Sequence, residues 1–431
     1  MKKSIYTIIE KINRDKYIFY NTRLSYLKIY SKEDYDSYMN GDTNKFDKFI
    51  VDDDIDEFKI VHDKQMEYIN KKKDYVRITI LPTTKCNARC AFCYENGEKR
   101  FDMDDKTIED TISFIKNISK DVSKIRIYWF GGEPFVDMDA MYKISEELIK
   151  YCDDNNKSYK ASVATNLSLI NESNYLKIIN DLRIDKIEFA FDGVRDKHNK
   201  IKNYQDKSFD AFNHNINMLS KLLDQGIVIQ LRLNCDMDNF KELEDLMDEL
   251  MNKFGKYDNF IPYFAMIFKT KFYDNGKLID SSNLSKYKLK IIEIMNKYSD
   301  KGMEMFPLSR SINNCYGSNP SSIVIAPDGT LTKCQGCVFN KKQIIGNVSS
   351  GIDKNEAYYK WINDFLPSEC KTCSLYPNCL GGCSNSYLSS NKMPCIKEKY
   401  YLKDLLLFVA DYMIRNNINE YQYLEENKSD V

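Results

Sequence analysis

The chain reads as an α/β protein: an open, partial (β/α)6 barrel preceded by a small N-terminal α+β domain and followed by a cysteine-rich region. Three observations carry this reading. From residue 76 onward, strand-like runs alternate with amphipathic helical stretches six times, the rhythm that builds a parallel sheet or barrel. Before residue 75 the rhythm is absent, and three short runs rich in Ile and Tyr come first. Eight of the thirteen cysteines fall between Cys315 and Cys395, where long apolar faces disappear. A full eight-unit barrel would need more chain ahead of Cys315 than there is.

Element by element, residues 1–74 form the first domain, with strands expected at 6–12, 17–21 and 24–30. Ser31-Lys-Glu-Asp opens a helix through Met39 as a capping box, and Gly41-Asp42 ends it. The acidic segment 52–57 reads as a solvated helix start, and Lys71-Lys-Lys-Asp74 as a hydrophilic joint. The second domain, 75–304, has strands at 76–81, 124–130, 162–165, 187–191, 227–233 and 261–268. Its helices are expected at 106–118, 139–152, 173–182, 209–223, 241–254 and 285–298. The third, 305–431, can bury little core on its own and leans on metal cross-links. In it Pro327-Asp328-Gly329 turns a hairpin between 323–326 and 330–333. Residues 400–425 read as a closing helix with Leu405, Leu406, Phe408, Val409 and Met413 as its apolar set.

Composition narrows the function. The 431 residues carry 63 Lys+Arg against 64 Asp+Glu, a net charge of −1, which argues against a nucleic-acid partner. The strongest apolar run stops at Asp411, well short of the ~18 residues of a membrane span, so no membrane partner is expected. Glu10, Lys11, Arg14, Asp15 and Lys16 interrupt any signal-peptide core, and a cytoplasmic location follows as the expectation. An odd cysteine count in a reducing compartment speaks against a disulfide framework. Only His62, His198 and His214 are available for mixed Cys/His sites, which leaves all-thiolate metal binding.

The first expected barrel strand runs into Cys86-Asn-Ala-Arg-Cys90-Ala-Phe-Cys93. Three thiolates on one short loop can hold three irons of a cubane and leave the fourth open to a ligand. A zinc knuckle wants a fourth Cys or His, and none lies nearby in sequence. With Phe92 just before the last cysteine, the loop resembles the cluster loop of the radical S-adenosylmethionine (radical SAM) enzymes. The resemblance implies a TIM-like partial barrel and a [4Fe-4S] cluster on Cys86, Cys90 and Cys93 whose open iron chelates S-adenosylmethionine. It also implies reductive cleavage of that cofactor to methionine and a 5′-deoxyadenosyl radical. Gly131-Gly132-Glu133-Pro134 at the end of the second strand resembles the motif that binds the methionine amino group, its glycines letting a carbonyl approach a ligand. Asn166, Asp192, Arg232 and Asn234 at later strand ends share one face of a parallel barrel. They resemble the family's contacts to the cofactor ribose and carboxylate. Ala190 stands where the family often has Ser, and Lys202 where Arg is common. No catalytic base is assigned.

The order Cys315, Cys334, Cys370-x2-Cys373-x5-Cys379-x3-Cys383, Cys395 resembles the SPASM domain, an extension carrying two auxiliary [4Fe-4S] clusters. The family's interleaved pattern implies Cys315, Cys334 and Cys383 on the first cluster and Cys370, Cys373, Cys379 and Cys395 on the second. Cys337 is taken as the fourth ligand of the first; the other reading leaves that iron open to a substrate thiolate. A zinc ribbon on the C-x2-C pairs is the alternative, because composition does not separate thiolate-bound zinc from iron. Cys152 and Cys235 read as buried structural thiols, and Trp129 as packing.

The 1–74 domain resembles the winged-helix leader-recognition (RRE-like) module of peptide maturases, which would bind a precursor peptide by adding it as a strand. A local structural cap is the other reading. Together these resemblances imply a radical SAM/SPASM maturase that installs a thioether or other cross-link in a ribosomally made precursor peptide. Its partners would be a precursor with a leader sequence and a reductant such as flavodoxin or ferredoxin. A sulfatase-maturase-type enzyme is the alternative, but those relatives carry Asp just after the cysteine matching Cys334 and this chain has Gln335. A non-enzymatic iron–sulfur or zinc protein, acting in redox sensing or as a scaffold, is the remaining reading.

Overall fold

The computed structural model describes residues 1–93, 95–267, 269, 274–280, 282–298, 315–362, 366–390 and 395–422. They form two compact units: Met1–Lys71 with Ser281–Asn319 and Ile362–Val431, and Lys72–Asp280 with Pro320–Trp361.

The first unit opens with β1 (Lys2–Lys3), β2 (Thr7–Lys11), β3 (Lys16–Asn21), β4 (Tyr26–Ser31), α1 (Lys32–Met39), β5 (Ile50–Val51) and α2 (Glu57–Asn70). β2, β3 and β4 make an antiparallel meander, and β1 pairs with β5. Ser31 caps α1, its hydroxyl accepting the Asp34 N–H, so the capping expected from sequence is present. Phe19 is fully buried among Tyr30, Tyr38 and Phe49, with ring centroids 4.8, 5.1 and 5.4 Å away. The acidic run before α2 departs from its expected solvation at one residue. Glu57 is buried, and its carboxylate accepts from Ser4 Oγ at 2.7 Å, Ile5 N–H at 2.8 Å and Arg23 Nε at 3.2 Å.

The second unit alternates β6 (Tyr75–Ile80), α3 (Asp105–Ile118), β7 (Lys124–Trp129), α4 (Met138–Asp154), β8 (Ser158–Ala164), α5 (Tyr175–Asp181), β9 (Ile184–Phe191), α6 (Arg195–Lys202), α7 (Ala211–Asp224), β10 (Val228–Cys235), α8 (Phe240–Phe254) and β11 (Phe260–Met266). β6 through β11 lie side by side in chain order, every pair parallel. Side chains alternate across the pleat, so Ile125, Ile127 and Trp129, then Ile187, Phe189 and Phe191, then Ile229, Leu231 and Leu233 are buried on one face. The alternate positions Tyr128, Glu188, Ala190 and Arg232 fall on the other. The six-unit parallel expectation holds, and among the described residues the sheet does not close.

After α9 (Leu284–Asn296), β12 (Ser322–Ile325) pairs parallel with β6, and β13 (Leu331–Thr332) pairs antiparallel with β12. The hairpin at Asp328-Gly329 forms as expected, with Gly329 at φ +77°. Sequence had not attached it to the main sheet. Ile323, Val324 and Ile325 are buried, and Val324 packs with Leu81, Ala326 and Val338, so this region owes its order partly to the barrel core.

The remaining elements are β14 (Gly346–Asn347), β15 (Gly351–Ile352), α10 (Glu356–Ile362), α11 (Tyr376–Cys379), α12 (Ser384–Ser390), α13 (Leu402–Arg415) and β16 (Glu420–Gln422). The single closing helix expected over 400–425 is corrected here. α13 ends at Arg415, Asn417 takes a left-handed φ of 56°, and the Ile418 N–H returns to the Met413 carbonyl at 2.8 Å. Asn accepts that conformation at low cost, and the chain leaves the helix to pair β16 with β4. Residues 423–425 of that expectation lie outside the described residues, as do residue 268 of the sixth expected strand and the domain boundary at 304–305. No helix among the described residues is long and apolar enough to cross a membrane.

Truncating Phe19 to Ala should cost about 3–5 kcal/mol, because the surrounding rings cannot collapse into the space. Limited proteolysis should then release fragments from residues 1–71 while the barrel stays resistant.

Candidate active site

The cysteine loop leaves β6 and returns to α3 as a stapled excursion. Met103 N–H bonds the Pro82 carbonyl at 2.8 Å, Thr84 N–H bonds the Phe101 carbonyl at 3.0 Å, and Thr83 Oγ1 donates to Asp102 at 2.6 Å. Inside it, buried Glu95 pairs with Arg100 at 3.1 Å, and Arg100 also donates to the Thr84 carbonyl. Cys86 and Cys90 pack beside Ala88, Tyr204, Phe209 and Ala211, and the Ala88 N–H points at Cys86 Sγ from 3.4 Å. Phe92 is half-buried between Cys90 and Cys93 in sequence. Burial pushes the Cys86 thiol up to about 11, Cys90 to about 12, and Cys93 upward. Among the described residues, no three Cys, His, Asp or Glu side chains gather on a point that would hold a single ion.

The glycine pair closes this loop onto the barrel. A Cβ on Gly131 would sit 2.3 Å from the Thr83 carbonyl oxygen, and one on Gly132 2.3 Å from that of Lys85. Gly131 also adopts φ +124°. With no side chains in the way, Gly132 N–H reaches the Thr83 carbonyl at 3.3 Å and Glu133 N–H the Lys85 carbonyl at 2.9 Å. The glycines therefore admit the loop's own backbone. Glu133 is buried, and its carboxylate accepts from Thr165 Oγ1 at 2.8 Å, Asn166 N–H at 2.7 Å and Phe135 N–H at 3.2 Å. Burial pushes its pKa up to about 7 against those bonds. Pro134 begins a short 3-10 turn. The Asn166 amide donates to Asn87 Oδ1 at 2.8 Å and reaches Cys86 Sγ at 3.9 Å.

Beyond β9, Asp192 is fully buried. Its Oδ1 accepts from Asn234 Nδ2 at 2.6 Å, and its Oδ2 lies 3.2 Å from Lys202 Nζ. The Asp192 N–H donates to His198 Nδ1 at 3.2 Å, so that nitrogen is an acceptor, and burial pushes His198 down to about 3. Burial also works against the Lys202 ammonium, but Asp192 outweighs it and keeps the lysine charged. The Lys202 carbonyl accepts the Arg89 N–H at 2.9 Å, which ties the network to the cysteine loop. Asn239 donates to the carbonyls of Asp192 and Asn234 at 2.9 and 2.8 Å. Thr165 stands beside Asn166 at the strand end that the sequence marks, whereas Lys202, His198, Asn239, Asn87 and the Glu95–Arg100 pair are not assigned to the site from sequence. Lys202 left only the trace of a cation where Arg is common. Two buried polar atoms, Arg232 Nε and Asn234 Oδ1, have no hydrogen-bond partner among the described residues. Three soft thiol donors on one loop, with unspent polar atoms on β10, fit an iron–sulfur cluster and a polar organic cofactor.

The remaining cysteines divide between the units. In the second, Cys337 Sγ donates to the Cys334 carbonyl at 3.0 Å, and a hydrogen bond from Cys337 holds the Cys334 thiol below its ordinary range. In the first, Cys315 Sγ accepts the Gly317 N–H at 3.3 Å, and Cys383 is exposed just before α12. Cys370 and Cys373 pack on the cluster of Tyr6, Val61, Tyr376 and Leu380. Burial pushes Cys370 up to about 11, and neighbouring Cys379, Cys373 and Cys395 push the same way. Cys152 and Cys235 are fully buried, as expected.

Residues 80–250 match the family model of the Radical SAM superfamily. A stretch of 114 residues is 34% identical to an uncharacterized protein of Methanocaldococcus jannaschii, covering 26% of this chain and 37% of that one. The chain thus spans well under half of that relative, and 24% of a 7,8-dihydro-6-hydroxymethylpterin dimethyltransferase from the same organism, with which it shares 30% identity over 30% of its own length. The GTP 3′,8-cyclase of Nautilia profundicola is 23% identical over 62% of this chain and 83% of that one. Among solved structures, anSMEcpe with bound AdoMet superposes with a TM-score of 0.61 at 17% identity, over 80% of this chain and 100% of that one. Streptococcus suis SuiB bound to its precursor peptide SuiA superposes at 0.51 and 15%, over 91% and 97%.

Gly132→Ala should force the 83–86 backbone off the β7 end. Anaerobic reconstitution of that variant should show less iron per chain than wild type. His198 makes a pH prediction. Its folded pKa is depressed, so between 6.5 and about 3 the unfolded chain binds the extra proton, and stability falls as pH drops through that window. At pH 5 the loss is on the order of 2 kcal/mol. His198→Gln, which keeps an acceptor for the Asp192 N–H, should flatten the melting temperature between pH 7.5 and 5 relative to wild type.

Proposed function

We infer that this chain, an enzyme whose residues 80–250 belong to the Radical SAM superfamily, modifies a ribosomally made precursor peptide by radical chemistry. The observation that carries the reading is the closure of the Cys86–Cys93 loop onto the β7 end through Gly132, Glu133 and Asn166. Cys86, Cys90 and Cys93 would hold the [4Fe-4S] cluster. When bound, the cluster and S-adenosylmethionine supply a 5′-deoxyadenosyl radical able to take a hydrogen atom from substrate. Glu133 sets the strand end by accepting Thr165 and Asn166, and Asn166 in turn braces Asn87 and approaches Cys86. Arg232 and Asn234 retain the polar atoms available to the cofactor. Asp192, paired internally with Asn234 and Lys202, orients the Asn234 amide.

The peptide substrate is supported by the first unit's meander with helices and by the fold likeness to SuiB, which has been solved with its precursor peptide. Two auxiliary clusters are supported by the seven-cysteine order and by the mutual proximity of Cys370, Cys373, Cys379 and Cys395. Cys337, bonded to Cys334, is the proposed extra ligand of the other set. A reductant such as flavodoxin or ferredoxin would deliver the electron.

Anaerobic reconstitution should load about 12 irons per chain if three cubanes form. With dithionite and S-adenosylmethionine, wild type should release 5′-deoxyadenosine, and a Cys86→Ala, Cys90→Ala, Cys93→Ala variant should release none. A candidate precursor peptide should gain a mass change only with the active chain. Two zincs and no iron would overturn this reading.

A further inference from the structure

β9 carries Glu188 on the half-buried face of the parallel sheet, opposite the face that buries Ile187, Phe189 and Phe191. Two phenols converge on its carboxylate from either side. Tyr128 of β7 donates to Oε2 at 3.3 Å, and Tyr263 of β11 donates to Oε1 at 3.1 Å. Neither β7 nor β11 is adjacent to β9, so each tyrosine reaches across an intervening strand. Burial pushes the Tyr263 phenol up to about 12 and the Tyr128 phenol upward, which keeps both as donors. The short side chains Ser162, Ala164, Ala190 and Ala265 share this face and are half-buried, so the carboxylate has low surroundings. No lysine or arginine among the described residues comes within ion-pair distance of it. Lys160 is taken by Asp185 at 3.0 Å, and Arg232 stands beside Ala190 and Tyr263, one row nearer the strand ends. Glu188 is therefore fixed in position by neutral donors and has no cation of its own.

We propose that Glu188, Tyr128 and Tyr263 form a substrate subsite that takes a cationic side chain, a lysine ammonium or an arginine guanidinium. The proposal rests on the peptide-modifying reading above and names a side-chain class in that peptide. A carboxylate accepts at about four lone-pair positions, and the two phenols occupy two of them. The open positions suit the N–H donors of a cation, and the tyrosine rings offer faces that attract one. Glu188 lies four residues before Asp192 on the same strand run, about 13 Å along it at the usual rise. A cation anchored at Glu188 therefore directs its flexible stem toward the strand ends, the end of the sheet from which the cysteine loop leaves β6. Arg232, between the two levels, is the residue assigned above to the cofactor, so the two sites use different groups of one face.

The test titrates the full reconstituted chain, by isothermal calorimetry, with acetyl-Gly-Lys-Gly-amide and its arginine and norleucine counterparts. Norleucine keeps an apolar stem and lacks the charge, so the comparison isolates the carboxylate. The lysine and arginine peptides should bind at least about fivefold more tightly than the norleucine peptide, the scale of a partly exposed ion pair. Glu188→Gln should erase that preference. Gln230→Lys should erase it too, because residue 230 is directly opposite Glu188 on β10 and supplies an internal ammonium. If Glu188→Gln fails to fold, Gln230→Lys alone carries the comparison, since it leaves the carboxylate and both phenols in place. Equal affinity for the three peptides in wild type, no binding of any, or a preference that survives in either folded variant overturns the proposal. A cation preference in a chain that modifies no candidate precursor retains the subsite and removes the maturase reading. A precursor modified by a chain without the preference overturns the subsite and leaves the maturase reading intact.

Discussion

Glu133 is the residue on which the geometry of the cysteine-loop end of the sheet depends. Its backbone N–H holds the cysteine loop through the Lys85 carbonyl, and its carboxylate holds the end of β8 through Thr165 and Asn166. One buried group thus fixes three segments that are far apart in sequence. Three hydrogen bonds offset the cost of burying the carboxylate, although burial still leaves its pKa near 7. The glycines just before it make the arrangement sterically feasible, because any side chain at Gly131 or Gly132 would overlap a loop carbonyl.

On the far side of the mouth the same economy recurs with opposite charges. Asp192 and Lys202 are both buried, and each offsets the other's desolvation. Asn234 completes Asp192 with one end of its amide while its other end has no partner among the described residues. Asn234 Oδ1 and Arg232 Nε, both on β10, are among the buried polar atoms with no hydrogen-bond partner among the described residues, and they leave two polar atoms for a bound molecule. Lys202 carries this order back to the loop through Arg89. The strand ends and the cysteines are therefore organised as one structure.

The C-terminal region shows how local chemistry and the barrel share the work. β12 and β13 extend the main sheet, so Cys334 and Cys337 follow β13, which pairs with β12 as β12 pairs with β6. Cys370 and Cys373 instead rest on the apolar cluster of the first unit. Both groups of cysteines sit on scaffold that does not itself consist of metal cross-links.

The parallel six-strand rhythm, the capping at Ser31, the hairpin at Gly329 and the place of the cysteine loop after the first parallel strand were legible in the sequence. Each is written in local period, turn chemistry or the spacing of soft donors, which act over a few residues. Only the tertiary structure decided the rest. It showed that Gly131 and Gly132 accommodate the loop backbone, because a close approach depends on what lies opposite. It brought His198 and Lys202 of α6, and Asn239 just before α8, to Asp192, from positions that local pattern marks as ordinary polar ones. It also turned residues 420–422 from an expected helix into a strand, since pairing with β4 is a contact across the whole chain that local propensity does not encode.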